Sequence, residues 1–368
     1  MSTREAARAA IERELLAWMR EEPSVHDEAR FERLALALFA FQFEANLAYG
    51  RFCAARGKTP ATLASWREIP SVPTGAFKEL PLRCFPPERA VKVFRTSGTA
   101  LTRRGELELD TLALYEASLV PSFEAGVLPD LAAGEKLPCL VLAPSPGEAP
   151  DSSLSHMFGV MLARRGAAAS GYFVCDGRLD VGALLAALEA VRGAEKLLLC
   201  GTAFAFVHLL ETLEARDLRL ALPAGARIME TGGFKGRTRE LSRERLHAWL
   251  HARLGVPPAR SVNQYGMTEL GSQFYDSVLR EPAAPRRKLA PPWTRVRVID
   301  PESARALGPG AVGALHVVDL ANTGSVLAVA TADLGVVVDG GFEVLGREAG
   351  AEARGCSLAA DEMLGAQA

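Results

Sequence analysis

Between residues 90 and 264, short apolar runs alternate with stretches of helical period, and this alternation restricts the fold more than any other feature of the chain. Strand candidates at 90–95, 139–143, 172–175, 197–200, 227–230 and 260–264 are separated by helix candidates at 110–124, 152–164, 181–191, 203–214 and 239–254. Each helix candidate carries a polar or small residue near its start, where a cap is needed. Parallel neighbours require a long crossover, which a helix supplies, so the pattern predicts an α/β fold with a mainly parallel sheet flanked by helices.

The flanks read differently. Ile11, Leu15, Leu16 and Trp18 form one helical stripe, and Phe31, Leu34, Leu36, Leu38, Phe41 and Phe43 fill a second segment, so a pair of helices is expected to open the chain. Pro60, Pro70, Pro73, Pro81, Pro86 and Pro87 then break residues 57–87 into an irregular connection with short helical turns. Beyond Pro291 the β-rich runs 294–300, 313–320, 325–330 and 336–345 leave little room for helices and predict a smaller, mostly antiparallel subdomain. The expected organisation is a helical segment with a Pro-rich connection over 1–89, an α/β core over 90–290, and a β-rich subdomain with a short tail over 291–368.

Composition removes several functions. Lys and Arg number 42 against 44 Asp and Glu, a net charge of −2 with no basic block, which argues against nucleic acid or an anionic membrane as partner. The six cysteines are scattered without a CxxC or zinc spacing, so neither structural zinc nor a disulfide framework is expected. No apolar run approaches the roughly 18 residues of a membrane span, and residues 1–20 lack a signal-type apolar core; the expectation is a cytoplasmic protein.

Three segments carry chemistry. Arg95-Thr96-Ser97-Gly98-Thr99-Ala100 follows a strand candidate and offers hydroxyls and unencumbered N–H groups of the kind that grip a phosphate chain; an ordinary connecting turn is the alternative. It lacks the lysine of a Walker P-loop. Asn263-Gln264-Tyr265-Gly266-Met267-Thr268-Glu269 leaves the carboxyl end of a predicted strand, where ligand crevices of open α/β sheets lie. There Tyr265 offers a flat face for a base, Thr268 a hydroxyl for a phosphate and Glu269 a hard oxygen for Mg²⁺, unless Thr268-Glu269 merely starts a helix. Thr231-Gly232-Gly233-Phe234-Lys235-Gly236 provides two glycines for close approach of a planar ligand and a lysine to neutralise phosphate, or is an exposed glycine turn.

The order of these motifs resembles the adenylate-forming superfamily, whose members activate carboxylic acids as acyl-adenylates. Within it the chain looks like the LuxE-type acyl-protein synthetases, on Thr96-Ser97-Gly98-Thr99, the stretch 144–158, 231–235, and Arg354-Gly355-Cys356-Ser357; the resemblance spans about residues 69–358. It implies ATP and Mg²⁺ as cofactors, a carboxylic acid of fatty type as substrate, and an acyl reductase as protein partner. It also implies that Thr96, Ser97, Gly98 and Thr99 cradle phosphates, and that Gly232, Gly233, Tyr265 and Gly266 surround adenine. Thr268 would bind phosphate and Glu269 Mg²⁺. Asp333, in Thr331-Ala332-Asp333, and Arg347, in Gly346-Arg347, would hold the ribose. His156 would border the acyl pocket, or else be satisfied on a helix face. Cys356 would accept the acyl group as a thioester, the alternative being a buried side chain that docks the tail.

Two departures matter. Arg103-Arg104 follow the phosphate turn without the lysine common in acyl-CoA synthetases, so Arg103 or Lys235 is expected to supply that charge. Only 21 residues of this sequence follow Arg347, so the mobile C-terminal domain of acyl-CoA synthetases is not expected, and a protein rather than CoA is the expected acyl acceptor. A phenylacetate-type carboxylate:CoA ligase and a non-catalytic nucleotide-binding scaffold remain the alternatives.

Overall fold

The computed structural model describes residues 3–97, 103–232, 241–347 and 363. The chain forms two compact units, one of Met1–Ser122, Met267–Gln273 and Lys288–Ala368, the other of Phe123–Gly266 and Phe274–Arg287.

The second unit holds the parallel sheet. Its strands stand in the order Gly171–Tyr172, Cys139–Leu142, Lys196–Thr202, Gly225–Thr231, Ser261–Tyr265 and Phe274–Asp276. The first five are parallel and the last is antiparallel. Taken along the chain, the five parallel strands stand in the order 2-1-3-4-5, a doubly wound arrangement whose ligand crevice opens at the carboxyl ends of the strands. Helices Ser153–Arg165, Val181–Ala190, Ala203–Ala215 and Arg243–Leu254 supply the crossovers. Their starts are set by Ser152, Asp180, Thr202 and Ser242, whose side chains accept from the N–H three residues on. Leu142, Leu199 and Ile228 from the sheet and Leu184, Phe206 and Leu250 from the helices fill one core.

In the first unit, Thr294–Ile299, Val312–Asp319, Ala328–Val338 and Gly341–Arg347 form an antiparallel meander. Val72–Pro73, from the Pro-rich connection, pairs in parallel with its third strand. The N-terminal helices dock through Arg295, whose guanidinium lies 4.2 Å from the Phe31 ring centroid and 2.9 Å from Glu28 Oε2. Among the described residues no helix is long and apolar enough to cross a membrane.

Four local expectations change. The second N-terminal stripe is two helices, Glu28–Ala45 and Leu47–Ala54, because Asn46 leaves helical geometry and caps the second through Tyr49 N–H. Lys92–Arg95 is half of an antiparallel hairpin with Glu106–Leu109 rather than a parallel strand; Glu106 and Glu108 pair with Arg95 and Arg83, which hides the strand character of the partner. The 172–175 run splits: Gly171–Tyr172 joins the parallel sheet, and Val174–Cys175 turns back on Arg178–Leu179 through Asp176 and Gly177, both at positive φ. The 325–330 and 336–345 runs redivide into Ala328–Val338 and Gly341–Arg347, so Thr331-Ala332-Asp333 lies within a strand.

Candidate functional site

In the second unit, the segments flagged in sequence leave one edge of the parallel sheet. Gly232 follows strand Gly225–Thr231 at φ 87°, a left-handed conformation that favours glycine, and Tyr265 ends strand Ser261–Tyr265. The bases of these two loops are tied together: Thr231 Oγ1 hydrogen-bonds to Gln264 Oε1. Beneath them the buried Glu230 carboxylate meets His247 Nε2 at 3.2 Å, a pairing that sequence reasoning missed because 17 residues separate the two. The Tyr265 ring packs 6.1 Å from Phe274, its register partner on the antiparallel strand. The half-buried His156 lies in the first turn of helix Ser153–Arg165, which leaves the same carboxyl edge after Cys139–Leu142. Beside it, Met157 Sδ is 3.4 Å from the Tyr275 hydroxyl. Gly233, Lys235 and the rest of the glycine loop lie outside the described residues.

In the first unit, Thr96 follows Lys92–Arg95 and extends its hairpin by one pair at the loop end. Its N–H donates to the Gly105 carbonyl and its Oγ1 accepts from Gly105 N–H, both at 2.9 Å, while Arg104 Nε donates to its carbonyl at 2.6 Å. Thr96 thus shapes the base of the turn, and Ser97 stands exposed above it. Gly98 and Thr99 lie outside the described residues. A cavity of about 480 Å³ beside this turn is lined by Lys78, Arg83, Arg95, Arg103 and Arg104 against two glutamates, an electropositive setting for a polyphosphate. Arg103, expected to replace the missing lysine, is there, 3.1 Å from Glu79.

Thr268 and Glu269 form a turn rather than a helix start, and both are buried, at 8 % and 6 % exposure. Asn322 Nδ2 holds the Glu269 backbone carbonyl at 2.8 Å. The meander brings Asp333 and Arg347 directly opposite each other, with Nε 3.5 Å from Oδ1. Thr331 Oγ1 donates to the Leu315 carbonyl at 2.8 Å and accepts from Asp333 N–H at 3.2 Å, which fixes the backbone under the carboxylate.

Cys356, with Arg354 and Gly355, lies outside the described residues. The described cysteines make poor nucleophiles, since attack needs the thiolate. Burial pushes the Cys53, Cys84 and Cys139 thiols up to about 12 and Cys200 well above its ordinary value. The hydrogen bond to Glu148 raises Cys175.

No protein with a curated description matches the chain. Among solved structures it resembles 2-hydroxyisobutyryl-CoA ligase in an open conformation with 2-HIB-AMP and CoA, with a TM-score of 0.64 at 16 % identity over 89 % of this chain and 76 % of that one. The same enzyme in its postadenylation state with R3-HIB-AMP gives 0.64 at 14 % identity, over 89 % and 69 %. ATP-bound MatB from Rhodopseudomonas palustris gives 0.49 at 19 % identity, over 70 % of this chain and 48 % of that one, so the chain spans about half the length of MatB. At these identities the likeness is one of fold, that of the adenylate-forming enzymes. The sequence matches the acyl-protein synthetase family LuxE over residues 5–365, and the chain belongs to that family.

Proposed function

We propose that the protein uses ATP to activate a carboxylic acid, of fatty type, as an acyl-adenylate and passes the acyl group to a protein thiol, first its own Cys356 and then a reductase partner. The observation that carries this reading is the opposition of Asp333 and Arg347, 14 positions apart in the chain and register partners in the sheet. A carboxylate accepting from two vicinal hydroxyls, steadied by a guanidinium, is a chemically apt ribose clamp.

In the first step a substrate carboxylate oxygen attacks the α-phosphorus, the bond to the bridging oxygen breaks, and pyrophosphate leaves. Little covalent work falls to the protein, so its part is positioning and charge stabilisation. Thr96, Ser97, Gly98 and Thr99 take the phosphates together with the cationic cavity lined by Arg95, Arg103 and Arg104, with Lys235 as a further cation. Gly232, Gly233, Tyr265 and Gly266 receive the base. His156 borders the acid. In the second step the Cys356 thiolate attacks the acyl carbon, the acyl–phosphate bond breaks and AMP departs, leaving a thioester.

The Glu269 carboxylate is a hard oxygen donor, and Thr268 beside it offers a hydroxyl to phosphate. Glu269 belongs to no group of three protein ligands among the described residues, the one such group being Glu148, Cys175 and Asp176. A single protein carboxylate fits Mg²⁺, which takes most of its ligands from water and substrate phosphates. When bound, Mg²⁺ would neutralise the polyphosphate charge.

The deciding experiment is pyrophosphate exchange into ATP across a panel of carboxylic acids, with and without CoA. Acid-dependent exchange with no acceleration of adenylate loss by CoA supports the proposal. Adenylate discharge to CoA would make the protein a CoA ligase, and ATP binding without exchange would make it a scaffold.

A further inference from the structure

Beyond Glu269 the chain is held by a buried polar cluster to which the adenylation chemistry assigns no part. Asp319 ends strand Val312–Asp319 and has no exposed surface. Its Oδ1 accepts from the Ser272 hydroxyl at 2.8 Å and from Ala321 N–H at 3.0 Å. Ser272 Oγ lies 2.8 Å from Ser118 Oγ, and the Trp293 indole N–H donates to both, at 2.8 Å to Ser118 and 3.1 Å to Ser272.

The turn that follows Asp319 grips the other side of the same segment. Asn322 Nδ2 donates to the Glu269 carbonyl. Between these two anchors, a Cβ on Gly271 would come within 2.9 Å of Ala321 Cβ and 3.0 Å of Asn322 Oδ1, so the two turns meet backbone to side chain without slack.

The chemistry of the anchor is unusual for a purely structural tie. A neutral amide of the same shape would fill the site without the desolvation penalty of a buried carboxylate. Burial pushes Asp319 up to about 6, although the N–H groups of Ala321, Ser272 and Gly271 act to hold it down. What the carboxylate adds is a charge-assisted grip on the residues immediately after Glu269.

We propose that Asp319 is a positioning residue that, through Ser272 and the 319–322 turn, sets the placement of the Glu269 carboxylate. The inference rests on Glu269 being the metal-side carboxylate of adenylation, and it assigns Asp319 no contact with substrate. Its consequence is specific: loosening the anchor should change how Glu269 meets Mg²⁺ before it changes how the acid binds.

The test compares the wild type with Asp319→Asn, which keeps the shape and one acceptor oxygen but sets an amide NH₂ beside backbone donors. Three properties are read: thermal stability, amide hydrogen exchange of residues 269–273 without nucleotide, and the Mg²⁺ dependence of acid-dependent pyrophosphate exchange. Expected are an unchanged or raised melting temperature, at least tenfold faster amide exchange in that segment, and at least a tenfold higher Mg²⁺ requirement with the KM for the acid unchanged. Ser272→Ala, which retains the charge, should move the same readouts in the same direction by less, and it decides the matter if Asp319→Asn does not fold. Wild-type amide exchange together with wild-type Mg²⁺ dependence in both variants would overturn the inference. A wild type inactive in pyrophosphate exchange defeats the adenylation reading instead, and the nucleotide-free amide exchange then still tells whether Asp319 holds the turn.

Discussion

Arg347 Nε lies 3.5 Å from Asp333 Oδ1, between residues directly opposite each other on antiparallel strands. Asp333 is mostly shielded, at 13 % side-chain exposure, whereas Arg347 is open at 47 %. An ion pair so placed contributes only about 0–1 kcal/mol to stability, because water screens the guanidinium. The strands themselves explain the juxtaposition: the register slips between Leu334 and Gly335, and Gly346 at φ 141° absorbs the change opposite Leu334. Gly335 is needed there, since a Cβ would fall 2.4 Å from the Glu343 carbonyl oxygen. A pair weak for stability and held in register by two glycines suits ligand binding.

Asp333→Ala should therefore leave the melting temperature within about 2 °C of wild type and weaken ATP about 10- to 100-fold. The loss corresponds to about 1.5–3 kcal/mol of charge-assisted hydrogen bonding. Isothermal titration of each variant with ATP checks this, and Arg347→Ala should show a smaller loss in the same direction. Unchanged ATP affinity in Asp333→Ala would remove it from the site.

Glu269→Gln should fold as wild type and lose most of its pyrophosphate exchange, a fall of about 100-fold or more, since a neutral amide is a much weaker Mg²⁺ ligand than a carboxylate. Circular dichroism alongside the exchange assay separates the two effects. Near wild-type exchange would exclude Glu269 from the metal.

Much of this could be read in the chain before any coordinates. The five parallel strands of the core and their helices were legible because residues such as Leu142, Leu199 and Ile228 lie in apolar runs and the helices that follow start at capping residues such as Ser152 and Thr202. Asp333 and Arg347 were recognisable as motif residues, but their opposition depends on a bulge that no local pattern specifies. Glu106–Leu109 was missed because its alternation sets leucines against glutamates whose arginine partners lie elsewhere in the chain. Asp319 gave no signal at all: an acid at the end of a β-run reads as a solvated strand terminus, and only tertiary packing against Ser272 buries it.

Stability should respond to acid through two residues of one strand, with opposite signs. Burial, helped by the charge of Arg297, lowers His316 to about 3, so between about pH 3 and 6.5 the unfolded chain binds the extra proton and stability falls on acidification. Burial raises Asp319 to about 6, so between about pH 4 and 6 the folded chain binds the extra proton and stability falls as pH rises. The two slopes nearly cancel in the wild type. His316→Gln should unmask the second, gaining on the wild type by about 1 kcal/mol per pH unit between pH 6 and 4, less than the ideal of about 1.4 because the unfolded histidine is only partly protonated near pH 6. Urea unfolding at pH 4.5, 5.5 and 6.5 measures it; parallel profiles for the two proteins would refute the assignment.

The last expectation concerns Cys356, within Arg354-Gly355-Cys356-Ser357. The adenylate is a mixed anhydride, and a thiolate that captures its acyl group conserves the activation in a form that a partner enzyme can take over. The described cysteines are held as thiols, by burial at Cys53, Cys84, Cys139 and Cys200 and by Glu148 at Cys175, which leaves Cys356 as the remaining cysteine of the chain. Incubation with ATP, Mg²⁺ and labelled fatty acid should therefore label the protein in a bond cleaved by neutral hydroxylamine. Cys356→Ser should lower that label at least tenfold while pyrophosphate exchange continues at the wild-type rate, which places the cysteine after adenylation. Label that persists undiminished in Cys356→Ser would move the acyl acceptor to another group, and loss of both label and exchange would mean that the residue serves the adenylation step or the fold.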